Sequence, residues 1–254
     1  MSGHSKWAQI KRKKGVNDAR RGQQFTRLAR DITVAVREGG SGDPEANFAL
    51  RLAVDKARGA NMPKENIERA IQRGLGNTGD GAQLEDISYE AYGPGGTALI
   101  VQVLTDNRNR AASEVRRVIT RAGANLASSG SVAWMFEKRG IFTIPVQGKD
   151  AEELELELID AGVDDVNADG STIEAFVTPE HMRSVREELQ KRNIPIENAE
   201  VTLVAKTPAA VGPADAAKTM QLVEELEELD DVQRVITNLD ITDEAMAEFE
   251  KETA

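Results

Sequence analysis

The sequence predicts an α+β protein, α/β in the broad sense. It comprises three domains, an N-terminal helical bundle plus two α+β domains of ferredoxin-like character, with the third inserted in the second. Three observations predict this. Apolar residues between Phe25 and Ile71 recur at helical spacing. From Ile87 the period shortens to that of strands. Residues 141–205 then run β-α-β-β-α-β, the order of a ferredoxin-like unit. The expected boundaries are 1–80 for a basic helical domain with an N-terminal arm, 81–136 with 206–254 for a discontinuous α+β domain, and 137–205 for the inserted one.

Each element follows from local signals. Phe25, Leu28, Ile32 and Val36 give the first helix its apolar face, with Arg20, Arg21, Arg27, Arg30 and Arg37 between them, until Gly39-Gly40-Ser41-Gly42 stops it. Asp43 before Pro44 has the form of an N-cap and first-turn proline, so the second helix is expected to begin there, with Ala49, Leu52 and Ala53 inward and Gly59 as its end. Pro63 opens a third helix with Ile67, Ala70 and Ile71 inward. Gly74 closes it, and a glycine-rich linker runs on to Gly81. Three short helices joined by tight breaks suggest a bundle.

Ile87–Tyr92 and Thr97–Leu104 are strands joined by the turn Gly93-Pro94-Gly95-Gly96. A helix from about Asn109 to Ala122 turns Ala112, Val115, Ile119 and Ala122 inward and ends at Gly123, and Ser131–Phe136 is the expected next strand. The ferredoxin-like stretch is strand Ile141–Val146, helix Ala151–Ala161, strands around Val163–Val166 and Ile173–Val177, helix Pro179–Lys191 and strand Glu200–Ala205. After an Ala/Pro-rich linker, Thr207–Ala214, a helix carries Met220, Val223, Leu226 and Leu229, and Val232–Ile236 has strand character. The middle block, β-β-α-β, lacks one helix and one strand. The tail supplies one of each, which places the third stretch as an insertion.

Composition narrows the function. The 254 residues contain no cysteine, so disulfides, thiol nucleophiles and thiolate zinc sites are excluded. Aromatics are 4%, too few for a large aromatic ligand cage. No apolar stretch approaches the ~20 residues of a membrane span, and the first thirty residues lack the apolar core of a secretory signal. The expectation is a cytoplasmic protein with no membrane partner. The net charge of −11 is segregated: residues 1–73 carry 16 Lys/Arg against 8 Asp/Glu (+8), residues 74–149 are near neutral (+1), and residues 150–254 carry 8 against 28 (−20). Such asymmetry points to different partners for different parts.

Several motifs carry little chemistry. Gly74-Leu75-Gly76-Asn77-Thr78-Gly79 and Gly93-Pro94-Gly95-Gly96-Thr97-Ala98 match the dinucleotide fingerprint, but neither leads from a strand into a helix N-terminus, so they read as a linker and a hairpin turn. No P-loop string is present. The two histidines, His4 and His181, lie far apart in sequence, one in the arm and one opening an acidic helix. The acidic runs Glu152-Glu153-Leu154-Glu155 and Glu224-Glu225-Leu226-Glu227-Glu228 each lie on one helix and read as solvated faces, because a dedicated cation site needs carboxylates from separate elements. No cofactor, metal or catalytic group is expected.

The positive signal is basic. Residues 1–30 hold Lys6, Lys11, Arg12, Lys13, Lys14, Arg20, Arg21, Arg27 and Arg30 against the single acid Asp18. That density attracts phosphates and displaces their condensed counterions, although a solvated tail has the same composition. Trp7, among these charges, is suited either to stack on an unpaired base or to anchor the arm to the bundle. A second candidate lies after the hairpin, where Asn107, Arg108, Asn109 and Arg110 open a helix and Arg116, Arg117 and Arg121 lie off its apolar face. Asn and Arg there suit phosphate or base edges, or serve as a cap with an ordinary charged face. Nothing marks a recognition helix with a sequence code, so charge alone separates neither DNA from RNA.

Gly3-His4-Ser5-Lys6-Trp7 with Ile10-Lys11 resembles the start of the YebC family. So do Arg21-Gly22, Phe25-Thr26, Asn61-Met62-Pro63, Asn66 to Ile71, Tyr89 to Gly96, Leu104 to Arg110, Gly130-Ser131-Val132-Ala133 and Leu229 to Gln233. These blocks span Gly3 to about Asn238. The resemblance implies a non-enzymatic protein with a helical bundle and two α+β domains. Members are commonly labelled probable transcriptional regulators that bind DNA. A mitochondrial relative is the translational activator of cytochrome c oxidase subunit I, and others are described as ribosome-associated factors that relieve stalls, notably at proline runs. The expected function is therefore a nucleic-acid-binding regulator of gene expression, with DNA-binding transcription control as the first reading and ribosome-associated translation control as the second. The expected contacts are Lys6, Trp7, Lys11, Arg12, Lys13, Lys14, Arg20, Arg21, Arg27, Arg30, Arg108 and Arg110. The acidic domains are expected to face the ribosome or a basic protein, or to keep the arm from binding indiscriminately.

Overall fold

The computed structural model describes residues 18–77, 85–148 and 150–253. The chain is α+β, with helices around two antiparallel sheets, and divides into two compact units: Gly15–Asp80 with Lys138–Thr202, and Gly81–Glu137 with Leu203–Ala254. No helix among the described residues is long and apolar enough to cross a membrane.

In the first unit, α1 (Asp18–Gly39), α2 (Phe48–Gly59) and α3 (Lys64–Gly74) form the bundle. Leu28, Ile32 and Val36 meet Leu50, Val54 and Ala57 of α2 and Ile67 and Ala70 of α3. Each large aliphatic side chain removed from water contributes roughly 1.5–3 kcal/mol. Gly74 permits the close approach of α3 to α1: a Cβ there would lie 2.6 Å from Val36 Cβ.

The second helix departs from expectation. Asp43-Pro44 makes a turn, in which Asp43 Oδ1 accepts Glu45 N–H at 3.0 Å, and α2 starts at Phe48. Its cap is Asn47, buried, whose Oδ1 accepts Leu50 N–H at 3.1 Å and whose Nδ2 donates to Ala35 O at 2.7 Å and Ser41 O at 3.1 Å. One amide thus satisfies the start of α2 and a carbonyl of α1, which outcompetes the Asp-Pro signal. Ala49 is exposed and Ala53 half-buried, because α2 is covered on two sides. Leu50, Val54 and Ala57 face the bundle, while Leu52 and Phe48 pack into the core of the sheet in this unit.

That sheet has order β5-β6-β4-β7, the ferredoxin-like 2-3-1-4 arrangement, from β4 (Phe136–Pro145), β5 (Asp165–Asp169), β6 (Thr172–Val177) and β7 (Asn198–Ala205). Phe142 and Ile144 of β4 lie opposite Ala175 and Ile173 of β6. They pack against Leu154 and Leu158 of α5 (Ala151–Asp160) and Met182, Val185 and Leu189 of α6 (Met182–Lys191).

In the other unit the sheet order is β3-β1-β2-β8, from β1 (Glu85–Tyr92), β2 (Ala98–Thr105), β3 (Asn125–Ala127) and β8 (Val232–Thr237). The tail strand β8 pairs antiparallel with β2, Leu99 opposite Thr237 and Val101 opposite Val235, so the tail completes this sheet around the insertion. Gly93–Thr97 turns the hairpin, with Gly95 at φ 66°, a conformation suited to glycine. Leu99, Val101 and Val103 are covered by α4 (Arg108–Arg121) and α7 (Pro213–Glu227). On α4 the buried residues are Ala111, Val115, Val118 and Ile119, with Ala112 and Ala122 half-buried. The buried stripe is rotated from the expected one because the helix packs on both the sheet and α7. Leu229 lies beyond the end of α7, and the final helix α8 (Asp243–Thr253), which packs Ala245 and Phe249 on α7, had no sequence counterpart.

The expected strand Ser131–Phe136 does not form. The third strand of this sheet is Asn125–Ala127, residues 128–135 are an irregular loop ending in a 3-10 turn, and only Phe136 begins β4. The cause is Glu90, described next.

Candidate nucleic-acid interface

Lys6, Trp7, Lys11, Arg12, Lys13, Lys14 and His4 lie outside the described residues. Arg20 and Arg21 fall within α1. At about 100° per residue, Arg30 and Arg37 sit on the side of α1 opposite Leu28, Ile32 and Ala35, and Arg27 lies on its flank. Arg27 and Arg30 are half-buried and Arg37 is exposed.

Helix α4 is the most cationic element among those fully described, with five arginines and one acid, Glu114. Asn107 caps it, its Oδ1 accepting Arg110 N–H at 3.1 Å. Behind the cap, buried Asp231 accepts Thr105 Oγ1 at 2.9 Å and Arg110 Nη2 at 2.8 Å, and Arg110 Nη2 also reaches Asp106 Oδ1 at 2.8 Å. The Asp231 and Asp106 carboxylates raise the pKa of the Arg110 guanidinium, Asp231 most. Arg110 is therefore committed to fastening the helix start, whereas Arg108 is exposed and has no ion pair among the described residues. Arg116 and Arg117 are exposed and likewise unpaired among the described residues, and Arg121 pairs with Glu225 at 2.8 Å. Cations at a helix N-terminus oppose its dipole by roughly 0.3–1 kcal/mol each. Arg108 adds nothing to helix stability by that route.

The third feature escaped the sequence reading. Glu90 on β1 is buried and accepts N–H groups of Gly130 at 2.6 Å, Val132 at 2.6 Å and Ala133 at 2.9 Å. Burial alone would raise its pKa, but the N–H groups of Val132, Gly130, Ala133 and Ser131 together outweigh it and hold the carboxyl below its ordinary 4.5. The loop they fix presents Trp134, 65% exposed, beside Tyr92, 38% exposed. Trp134 Nε1 and Tyr92 Oη both donate to Ser131 O, at 3.0 and 3.1 Å. Lys206 Nζ donates to Trp134 O at 2.8 Å. Apolar residues at 132 and 136 with Trp134 between them mimic a strand. The carboxylate that consumes the loop's N–H groups lies some forty positions upstream, so no local signal betrays it.

His181 is exposed in the 3-10 turn before α6. Gly93–Thr97 is a hairpin turn, and among the described residues no cluster of His, Cys, Asp or Glu has the form of a metal site.

A bundle, two antiparallel four-stranded sheets and an arginine-rich helix, α4, define a multi-domain α+β protein. Comparison with known proteins makes this particular. The family model described as TACO1/YebC second and third domain matches residues 84–239, and the TACO1/YebC protein N-terminal domain matches residues 5–77. The chain belongs to the TACO1/YebC family. It is 55% identical to a probable transcriptional regulatory protein of Roseiflexus castenholzii over 98% of this chain and 99% of that one. A protein of the same description from Chloroflexus aurantiacus is 53% identical over 98% and 100%. The crystal structure of a conserved hypothetical protein from Aquifex aeolicus superposes with a TM-score of 0.81 at 43% identity, covering 89% of this chain and 93% of that one. The Roseiflexus and Chloroflexus relatives are both described as probable transcriptional regulatory proteins.

The blocks that carry the resemblance meet in pairs. The Tyr89–Gly96 block grips the Gly130–Ala133 block through Glu90. The Leu104–Arg110 block grips the Leu229–Gln233 block through Asp231.

Proposed function

We propose that this protein is a non-enzymatic, nucleic-acid-binding regulator of gene expression, acting first as a DNA-binding regulator of transcription. The observation that carries this reading is the segregation of cationic charge, at +8 in residues 1–30, in a chain whose net charge is −11. The description of the relatives as probable transcriptional regulatory proteins supports it. Phosphate contacts come from Lys6, Lys11, Arg12, Lys13, Lys14, Arg20, Arg21, Arg27 and Arg30, with Trp7 among them, and on α4 from Arg108, Arg116 and Arg117. Arg110 holds the start of α4 in place behind Arg108. The protein works in the cytoplasm without a cofactor, and the −20 segment faces a basic protein or limits indiscriminate binding by the arm.

A second reading, ribosome-associated control of translation, is favoured by the form of α4. Its N-terminal turn is spent on a cap and an ion-pair network, which suits backbone contact and therefore folded RNA as well as DNA. Retardation of promoter DNA that survives competitor DNA is expected for the first reading. Co-sedimentation with ribosomes, and loss of it in high salt, is expected for the second. Failure of both would overturn the proposal.

A further inference from the structure

We infer that the Glu90-braced loop is a stacking platform for an unpaired nucleobase, with Trp134 as the ring that takes the base, Tyr92 beside it and Lys206 at its edge. The inference deepens the nucleic-acid reading and rests on it.

Trp134 is the most exposed aromatic among the described residues, yet it is not loosely held. Its indole N–H is spent on Ser131 O, and the Tyr92 hydroxyl is spent on the same atom. Two rings whose polar tips are satisfied internally have only their faces left to offer. A face without a free donor recognises flat, polarisable groups and does so regardless of base identity. The loop carrying the indole is tied at three N–H groups by Glu90, and Lys206 tethers the Trp134 carbonyl from the strand side. Little conformational entropy is then lost when a base arrives. A platform for a single base also needs a cation within reach of the adjoining phosphates, and the Lys206 ammonium supplies one. A paired base keeps its faces inside the duplex, so the occupant is single-stranded or looped-out nucleic acid.

The full-length protein carries two tryptophans, so Trp7→Phe leaves Trp134 as the sole indole. In that background, titration with a twelve-nucleotide oligo(A), as RNA and as DNA, is expected to quench Trp134 emission. Trp134→Leu, which keeps apolar bulk without an aromatic face, should weaken binding on the order of 5- to 100-fold. It should leave the salt slope unchanged, because no counterion is involved. Trp134→Phe should recover most of the affinity, and far-UV circular dichroism of the three proteins should coincide. A duplex of the same length should not quench. Oligonucleotide that binds without changing Trp134 emission overturns the inference while leaving the functional reading intact. So does a Leu variant that binds as tightly as Trp, or equal quenching by duplex. Binding of the duplex but not of the oligonucleotide overturns the inference alone, and if the Trp7→Phe parent and the unsubstituted protein bind neither oligonucleotide, duplex DNA nor ribosomes, the functional reading falls and this inference falls with it.

Discussion

Helices α4 and α5 do the same architectural work and carry opposite surfaces. Each follows a strand of a four-stranded antiparallel sheet and buries one stripe on it: Ala111, Val115, Val118 and Ile119 in α4, Leu154 and Leu158 in α5. Outside that stripe α4 has five arginines and one acid, whereas α5 has five acids and no Lys or Arg. Their ends differ as well. Asp150 caps α5, with Glu152 and Glu153 in the first turn, the arrangement the helix dipole favours, and Arg192 donates to the C-terminal carbonyls of Glu157 and Asp160. In α4 two arginines crowd the N-terminus, of which Arg110 is held by Asp106 and Asp231. The α5 arrangement is what stability selects. The α4 arrangement opposes it, and the cost is sensible if its charge serves a partner.

The largest expected effect tests that contrast directly. Arg116→Glu with Arg117→Glu on α4 should weaken nucleic-acid binding on the order of 100-fold at low salt and reduce the salt slope by about 2. The mirror change on α5, Glu152→Lys with Glu153→Lys, should not produce binding of comparable strength. Fluorescence anisotropy across a salt series reads both, and equal effects on the two helices would break the comparison.

Next in size is the brace of the Trp134 loop. Glu90→Gln replaces a charged acceptor of three N–H groups with an amide that offers one acceptor and adds a donor. It should cost about 1–3 kcal/mol in urea unfolding. The pH sign follows from the depressed folded pKa: the stabilisation is complete above the ordinary value of 4.5 and is lost as pH falls through the lower folded value. The Gln variant should therefore lose less stability than the parent between pH 5 and acid conditions, and parallel profiles would remove Glu90 from that role.

Asp231→Ala should cost about 1–3 kcal/mol by releasing Thr105 and Arg110, with Arg110 half exposed and so contributing toward the low end. The smallest effect is Arg192→Ala, which removes donors from the C-terminus of α5 and should cost about 0.3–1 kcal/mol. Its removal should leave nucleic-acid affinity unchanged.

The same contrast explains what was legible in the sequence. The ferredoxin-like stretch lies in one continuous segment, and its β-α-β-β-α-β order is readable from the sequence. The first block of the other sheet is one helix and one strand short, and β8 does pair with β2. What failed was decided by distant side chains. Asn47 displaced the Asp43-Pro44 start of α2 because it also satisfies Ala35 O, and Glu90 turned an apparent strand into a loop. The ion pair of Arg110 with Asp231, 121 positions away, likewise has no local signal. Trp134 sits within a strand-like pattern, where a tryptophan is ordinarily core, so its exposure has no local signal. Periodicity reports which face is buried, and it is silent about which polar group a neighbouring element will claim.

The central claim is that cationic charge concentrated in an acidic chain serves phosphate binding. The most direct measurement is the slope of log affinity against log salt for the full-length protein on duplex DNA and on ribosomal RNA, before and after Lys11, Arg12, Lys13 and Lys14 are all replaced by Gln. Affinity is expected to fall linearly with salt in the parent, and the slope on duplex DNA to shrink by about 3–4 in the variant. An identical slope in parent and variant, or no binding to either polymer in dilute salt, would contradict it.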